Sequence, residues 1–280
     1  MAALLALAAA VSFGTADFFG GAAARRSAAL SVIAISAPVG TLFMLVVSVF
    51  LPGTPTLAGL AWGAGAGLCG ALGVVVFYTA LAAGPMSVVA PLSALSSALV
   101  PVAAAFLFGE RLAPRALIGA LLCLVAIALV SAEKKKDGAR RSGAARGVLL
   151  AVVSGAGFGL FFVLSKHADA ATGLWPLVAA RLSWVAVAGV AALAGAVRIQ
   201  RDRVTIWLAV LSGLLDAGGN ALYLVSARGG TMTLAVLLTS LYPAITVLLA
   251  RVTYGELLRG VQKAGLVLAG AGVALLAVAT

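Results

Sequence analysis

The chain has 280 residues, of which 63% are hydrophobic and 10% charged, with a formal net charge of +11 and a mean hydropathy of +1.18. Soluble domains average about 45–50% apolar and about 25% charged residues, so a water-soluble fold is excluded. A spanning helix needs about 20 apolar residues, so a chain of this length crosses a bilayer about ten times and leaves little extramembrane mass, with no room for a nucleotide-hydrolysing domain.

Breaks at charged, Pro and Gly clusters give apolar runs near 2–22, 28–51, 57–82, 86–108, 114–132, 147–167, 173–197, 204–226, 231–250 and 260–280. The first run has no basic segment ahead of it and exceeds a signal-peptide core in length, so it reads as a span. It carries Asp17, just after Phe13-Gly14-Thr15. The third run holds a glycine series from Gly63 to Gly73, and Tyr78. Its Gly65-Ala66-Gly67-Leu68-Cys69-Gly70 matches GxGxxG superficially but lacks the strand and downstream acid of a nucleotide site, so it reads as a helix-packing face. The fourth run contains Ser93, Ser96 and Ser97 between Pro91 and Pro101, and Glu110 follows at its end. Residues 133–146, the most polar stretch, read as a basic linker between two five-helix halves, 1–132 and 147–280. Beyond it come Arg181 in the seventh run, then Asp216, Asn220 and Tyr223 in the eighth. The ninth holds Thr239, Ser240, Tyr242, Pro243 and Arg251, with Glu256 closing it.

Aromatic residues make up only 7%, against an excess of Ala, Leu, Val and Gly. This favours close-packed helices over an outer-membrane barrel, which needs alternation and aromatic girdles. Cys69 and Cys123 lie inside apolar runs without CxxC or Cys/His spacing, so neither a disulfide framework nor a metal site is indicated, and no cofactor is expected. The positive charge sits mainly in short loops, which indicates topology and anionic-lipid contact rather than nucleic acid.

The halves repeat. A constant shift aligns Gly84 with Gly230, Met86 with Met232, Gly109-Glu110 with Gly255-Glu256 and Gly119 with Gly265; a one-residue adjustment aligns Trp62 with Trp207 and Tyr78 with Tyr223. An odd number of helices per half inserts the second copy upside down, the arrangement of alternating-access carriers. The expected fold is an all-α integral membrane protein of about ten transmembrane helices in two inverted five-helix repeats.

The segments GPMSVVAPLSALSSALVPVAAAFLFGERL (84–112) and GTMTLAVLLTSLYPAITVLLARVTYGELL (230–258) resemble the drug/metabolite transporter superfamily in its ten-helix EamA-type branch. The resemblance covers essentially the whole chain as two tandem units and is strongest over the last two helices of each. It implies a single-chain carrier, an exporter or exchanger of small metabolites, with a central cavity between the halves. Superfamily members include amino-acid exporters, nucleotide-sugar carriers and lipid-linked sugar flippases, so cargo stays open.

Orientation divides two lines of reasoning. Odd-numbered connections hold 13 Lys and Arg residues, among them Arg25, Arg26, Arg203, Arg259 and Lys263, against 4 in even ones, Arg111, Arg115, Lys166 and Arg228. The positive-inside rule then puts the termini outside. The family resemblance implies cytoplasmic termini.

Charged and strongly polar groups within spans are functional candidates, since each costs about 2.5–3.5 kcal/mol at the bilayer centre on insertion scales. Asp216, Asn220 and Tyr223 fall at i, i+4 and i+7 on one helix face, whereas their first-copy counterparts are Ala71, Val75 and Tyr78. A cavity face explains this one-sided placement; the alternative is a lock, with Asp216 paired to an Arg and Asn220 bonded to a backbone carbonyl. By sign, Arg181 is the expected partner of Asp17. A carboxylate desolvated in one state and hydrated in the other would couple transport to protons. The substrate-binding or coupling candidates are Asp17, Tyr78, Arg181, Asp216, Asn220, Tyr223 and Tyr242. Pro91, Pro101, Glu110, Pro243 and Glu256 are gating or structural candidates.

An enzyme is disfavoured: one histidine and eight acidic residues form no HExxH, nucleophile–base or Asp-rich constellation. The composite expectation is a secondary transporter in the cell membrane, exporting or exchanging small polar or amphiphilic metabolites, as a monomer or homodimer in contact with membrane lipids. A lipid or lipid-linked sugar flippase is the first alternative and a non-catalytic membrane assembly protein the second.

Overall fold

The computed structural model describes residues 2–107, 114–130, 141–165, 167–197, 202–229, 239, 241–255 and 258–279. Among these, ten α-helices follow in order: α1 (Ala2–Ala24), α2 (Ala29–Phe50), α3 (Leu57–Ala83), α4 (Met86–Leu107), α5 (Pro114–Val130), α6 (Arg141–Ser165), α7 (Trp175–Leu193), α8 (Arg203–Gly229), α9 (Tyr242–Tyr254) and α10 (Gly260–Ala279). Six described segments are each long and apolar enough to cross a bilayer: α1, α2, α3, α7, and the Ala145–Ser165 and Arg203–Tyr223 portions of α6 and α8.

Several helix ends depart from the sequence reading, α9 among them, which runs to Tyr254 rather than 250. α6 begins at Arg141, inside the stretch read as linker, because Arg141, Ala144, Ala145 and Arg146 are good helix formers that extend the apolar span outward. α7 ends at Leu193 rather than near 197, where Gly195 takes a left-handed φ of 73° and closes the helix end. The start expected for the ninth helix, residues 231–238, and the proposed gating residues Glu110 and Glu256 lie outside the described residues.

The principal helix contacts run between the halves. α1 packs along α8 and α3 along α6; α2 lies on α8 and α3 on α7; α4 lies on α6 and α1 on α9. α2 meets α7, α4 meets α9, and α5 meets α10. Exchanging the first five helices for the last five, in order, maps this set onto itself. The repeats are therefore interleaved rather than stacked as two bundles.

Between lipid-solvated helices the association comes from close packing and interhelical hydrogen bonds. Glycines permit the approach. A Cβ at Gly63 or Gly67 of α3 would run into the backbone of Pro176 or Ala180 of α7, and one at Gly213 of α8 would run into Ser36 of α2. The symmetry reaches individual residues. A Cβ at Gly14 of α1 would lie 2.6 Å from Ile245 Cβ of α9, and one at Gly159 of α6 would collide with Val100 Cβ of α4. Phe13 covers Gly219 as Phe158 covers Gly73. Both pairs of contacts are related within one residue of the offset that aligns Tyr78 with Tyr223.

Tracing the helices alternately brings the odd connections to one face. There Arg26 lies 3.7 Å from Asp202. Arg25 donates to the carbonyls of Leu81 (3.2 Å) and Gly84 (3.3 Å) at the end of α3, and its guanidinium covers the Tyr254 ring of α9 at 4.4 Å. At the other face, two loops meet backbone to backbone. Thr54 N–H donates to Ala171 O and the Trp175 indole to Gly53 O, both at 3.3 Å. Gly173, with φ of 62°, turns here against Pro52 and Gly53, where a side chain would be both strained and obstructed.

Candidate functional site

The membrane-embedded charges gather where α1, α7 and α8 pass the middle of the bundle. Arg181 of α7 is buried and donates through Nη2 to the Asp216 carboxylate of α8. Its guanidinium also lies over the Trp184 ring, one turn along α7, at 4.7 Å. α2 makes room for the pair at Gly40, where a Cβ would lie 3.0 Å from Arg181 Nη1 and 2.9 Å from Gly213 O. The Asp216 side chain retains 26% exposure against 6% for Arg181, so water or a ligand reaches the carboxylate and not the guanidinium. Arg181 thus pairs with Asp216, not with Asp17 as its sign suggested. Both α7 and α8 abut α2, whereas Asp17 projects from α1, which has its main neighbours in α8 and α9.

Hydroxyl-to-carbonyl bonds pin α1 around Asp17. Ser12 Oγ donates to Leu215 O at 2.6 Å and Ser212 Oγ to Ala16 O at 2.9 Å. Tyr78 of α3 sits over Gly20, its hydroxyl 2.8 Å from Ser212 Oγ. Because the single Ser212 hydroxyl hydrogen goes to Ala16 O, Tyr78 is the donor in that contact. On the opposite flank, Thr246 Oγ1 of α9 donates to Gly14 O at 3.0 Å. α1 is therefore held on both sides within one turn of its acidic residue.

Asp17 itself is half-buried. Among the described residues it has neither a hydrogen bond nor an ion pair, and its electrostatic neighbours are Asp216, Tyr78 and Tyr242. One turn earlier on the same helix face, Phe13 meets the Tyr242 ring edge-on, centroids 6.3 Å apart. An aromatic pair contributed by α1 and α9 thus stands one turn from Asp17.

The remaining sequence candidates take peripheral or structural positions. Asn220 turns its amide back to Asp216 O of its own helix at 2.8 Å, and Tyr223, half-buried, makes no hydrogen bond among the described residues. Pro91 and Pro101 fall within the single helix α4, Pro91 buried. Pro243 stands in the first turn of α9, where a missing N–H is tolerated. Sequence reasoning missed Phe13, Ser12, Ser212, Trp184 and Gly40. For Phe13 a signal existed, since Phe13-Gly14 recurs as Phe158-Gly159. No group of His, Cys, Asp and Glu among the described residues is arranged to hold a metal ion.

The model of the EamA-like transporter family matches twice, over residues 1–132 and 145–278. The chain belongs to the EamA-like transporter family. This EamA-like chain is thus a multi-pass membrane transporter for small molecules and comes from a family without enzymatic activity. The two matched units coincide with the halves whose helices exchange under the packing symmetry. A solved crystal structure shares the fold, with a TM-score of 0.64 at 19% identity, over 98% of this chain and 95% of its own. No curated protein matches the chain by sequence.

Proposed function

We propose that this EamA-like protein is a gradient-driven carrier that exports or exchanges small polar or amphiphilic metabolites, amino-acid-like compounds included, across the cell membrane by alternating access. The observation that carries the reading is the cluster of Asp17, Arg181 and Asp216 where interleaved helices of both repeats meet. Each embedded charge costs about 2.5–3.5 kcal/mol on insertion scales, and three are retained together on a scaffold otherwise built from Ala, Gly, Leu and Val. At the aligned first-copy positions Arg181 and Asp216 correspond to Ser36 and Ala71, and in the second copy Asp17 corresponds to Phe162. A scaffold with two-fold packing does not require such an asymmetric charge set, whereas an asymmetric cargo does.

Alternating access follows from the same symmetry. Helices related by exchange of the repeats make alternative, nearly equivalent packings, so a state open to one face has a mirror state open to the other. The Arg25 clamp at the end of α3 and the Gly53–Gly173 backbone contact stand at opposite faces of the bundle, and their alternate release is the motion we infer. We assign Tyr78, Tyr242 and Tyr223 to the cargo path beside these charges, with Asn220 on the Asp216 face of α8 freed from its own-helix bond when cargo binds. The basic face carrying Arg25, Arg26, Arg203, Arg259 and Lys263 is cytoplasmic in this reading, with the termini outside. A broad comparison of metabolites inside and outside cells with and without the protein tests the function: selective accumulation in the medium supports export, and unchanged distributions reject it.

A further inference from the structure

We propose that the cargo is a small organic cation without a free carboxylate, an alkylammonium or arylalkylammonium compound, whose charged nitrogen docks on Asp17. This rests on the carrier reading above and narrows it to one chemical class.

The first argument is the balance of charge in the bundle interior. Among the described residues the cluster holds two carboxylates, Asp17 and Asp216, and one buried guanidinium, Arg181, while Arg251 is exposed on the last turn of α9. Arg181 is committed to Asp216. Asp17 is left without a cation or a hydrogen-bond donor among the described residues, although α8, α9 and α3 all pack against its helix. A carboxylate at this depth needs a counter-charge, and none of the described residues supplies one. A cation that arrives and departs does.

The second argument is the chemistry of the surroundings. Phe13 and Tyr242 form an edge-to-face pair one turn from Asp17, and Tyr78 presents its ring over Gly20, one turn beyond Asp17 on α1. Carboxylate beside aromatic rings is the environment that attracts an ammonium group through charge and ring quadrupole together. The same environment rejects other classes. An anion would face two carboxylates. A zwitterion would need a cation for its carboxylate, and the Arg181 guanidinium is enclosed by Asp216, Trp184 and Gly40 with only 6% of its side chain exposed.

The test uses the full chain in proteoliposomes and three labelled probes of one ring type: benzyltrimethylammonium, phenylalanine and phenylacetate. The fixed charge of the first prevents leakage as a neutral form. The expected result is saturable uptake of benzyltrimethylammonium in preference to the other two. Asp17→Asn, nearly isosteric, should raise its apparent KM at least tenfold while the melting temperature in detergent stays near wild type. Asp17→Glu should retain affinity within a few-fold, which a purely structural role would not produce. Preference for phenylalanine or phenylacetate, or cation uptake that is absent or indifferent to Asp17→Asn, overturns the proposal. Saturable flux of another probe in those cases leaves the carrier reading standing; no flux of any probe, together with unchanged metabolite distributions in cells, brings both down.

Discussion

Arg181 of α7 and Asp216 of α8 form an ion pair inside the bundle, seated over the gap that Gly40 leaves in α2. Neither residue has a charged equivalent in the first repeat, so the pair breaks the packing symmetry of the scaffold at one place. Removing one partner leaves the other charged in a poorly solvated site. Asp216→Leu alone, which strands the buried Arg181 guanidinium, should therefore destabilise the protein by about 3 kcal/mol or more, and Arg181→Leu somewhat less because the Asp216 carboxylate it leaves is partly exposed. The Arg181→Leu/Asp216→Leu double variant should recover most of that loss. Melting in detergent measures stability and vesicle flux measures function; recovery of stability without flux assigns the pair to transport, whereas recovery of both would make it a lock.

Gly14 and Gly159 are packing equivalents, each receiving a β-branched residue from the partner repeat. Gly14→Ala and Gly159→Ala should both wedge helices apart and cost about 1–3 kcal/mol, with similar magnitudes because the contacts are related by symmetry. Gly65→Ala, where nothing lies within 4 Å, should be neutral or slightly stabilising. Equal tolerance at all three positions would contradict the interleaved packing.

Asp202 stands outside the membrane and caps α8. Its carboxylate accepts from the Thr205 hydroxyl at 2.7 Å, from Thr205 N–H at 3.2 Å and from Val204 N–H at 3.3 Å, and Arg26 lies beside it. The Thr205 bonds, with those smaller contributions, hold the carboxyl below the usual carboxylate range. Because the folded value is the depressed one, this stabilisation is fully present above the unfolded carboxylate range and disappears as pH falls through the folded value. A melting series from neutral pH to about pH 3 should show a shallower acid limb in Asp202→Asn than in wild type. Identical limbs would remove Asp202 from the acid response.

Membrane orientation gives a separate test. With thirteen Lys and Arg on the odd connections against four on the even ones, a reporter active only in the cytoplasm should be silent when fused after Thr280. The same reporter inserted in the linker, after Asp137, should be active. The opposite pattern would show that the family's implied topology prevails over the charge distribution.

Much of the scaffold was legible because membrane helices announce themselves by length and apolarity, and because Gly109-Glu110 and Gly255-Glu256 mark one junction twice. The partner of Arg181 stayed open between Asp17, expected by sign, and Asp216, as in the lock alternative whose two contacts the structure contains. Which helix faces which is set by interleaving of the halves, and sequence separation carries no trace of it; the sign of Asp17 and Asp216 is the same, and only the placement of α2 between α7 and α8 selects the second. Ser12, Ser212 and Thr246 escaped notice for a different reason. Hydroxyls in apolar helices commonly bond a carbonyl of their own helix, so nothing in the residue type reveals that these three reach another one. Phe13-Gly14 and Phe158-Gly159 were readable, but in a chain so rich in Gly and Phe a two-residue repeat stands out only once its contacts are known.

The central claim, that cargo crosses by exchange between two inward- and outward-facing packings of one site, is tested most directly by counterflow. Vesicles containing the purified protein are loaded with an excess of an unlabelled compound identified by the metabolite comparison, and entry of its labelled form is followed. The account predicts a transient overshoot of label, saturable in external concentration and abolished when Arg181 and Asp216 are both replaced by Leu. Entry that rises linearly with concentration, without acceleration by internal cargo, would contradict it.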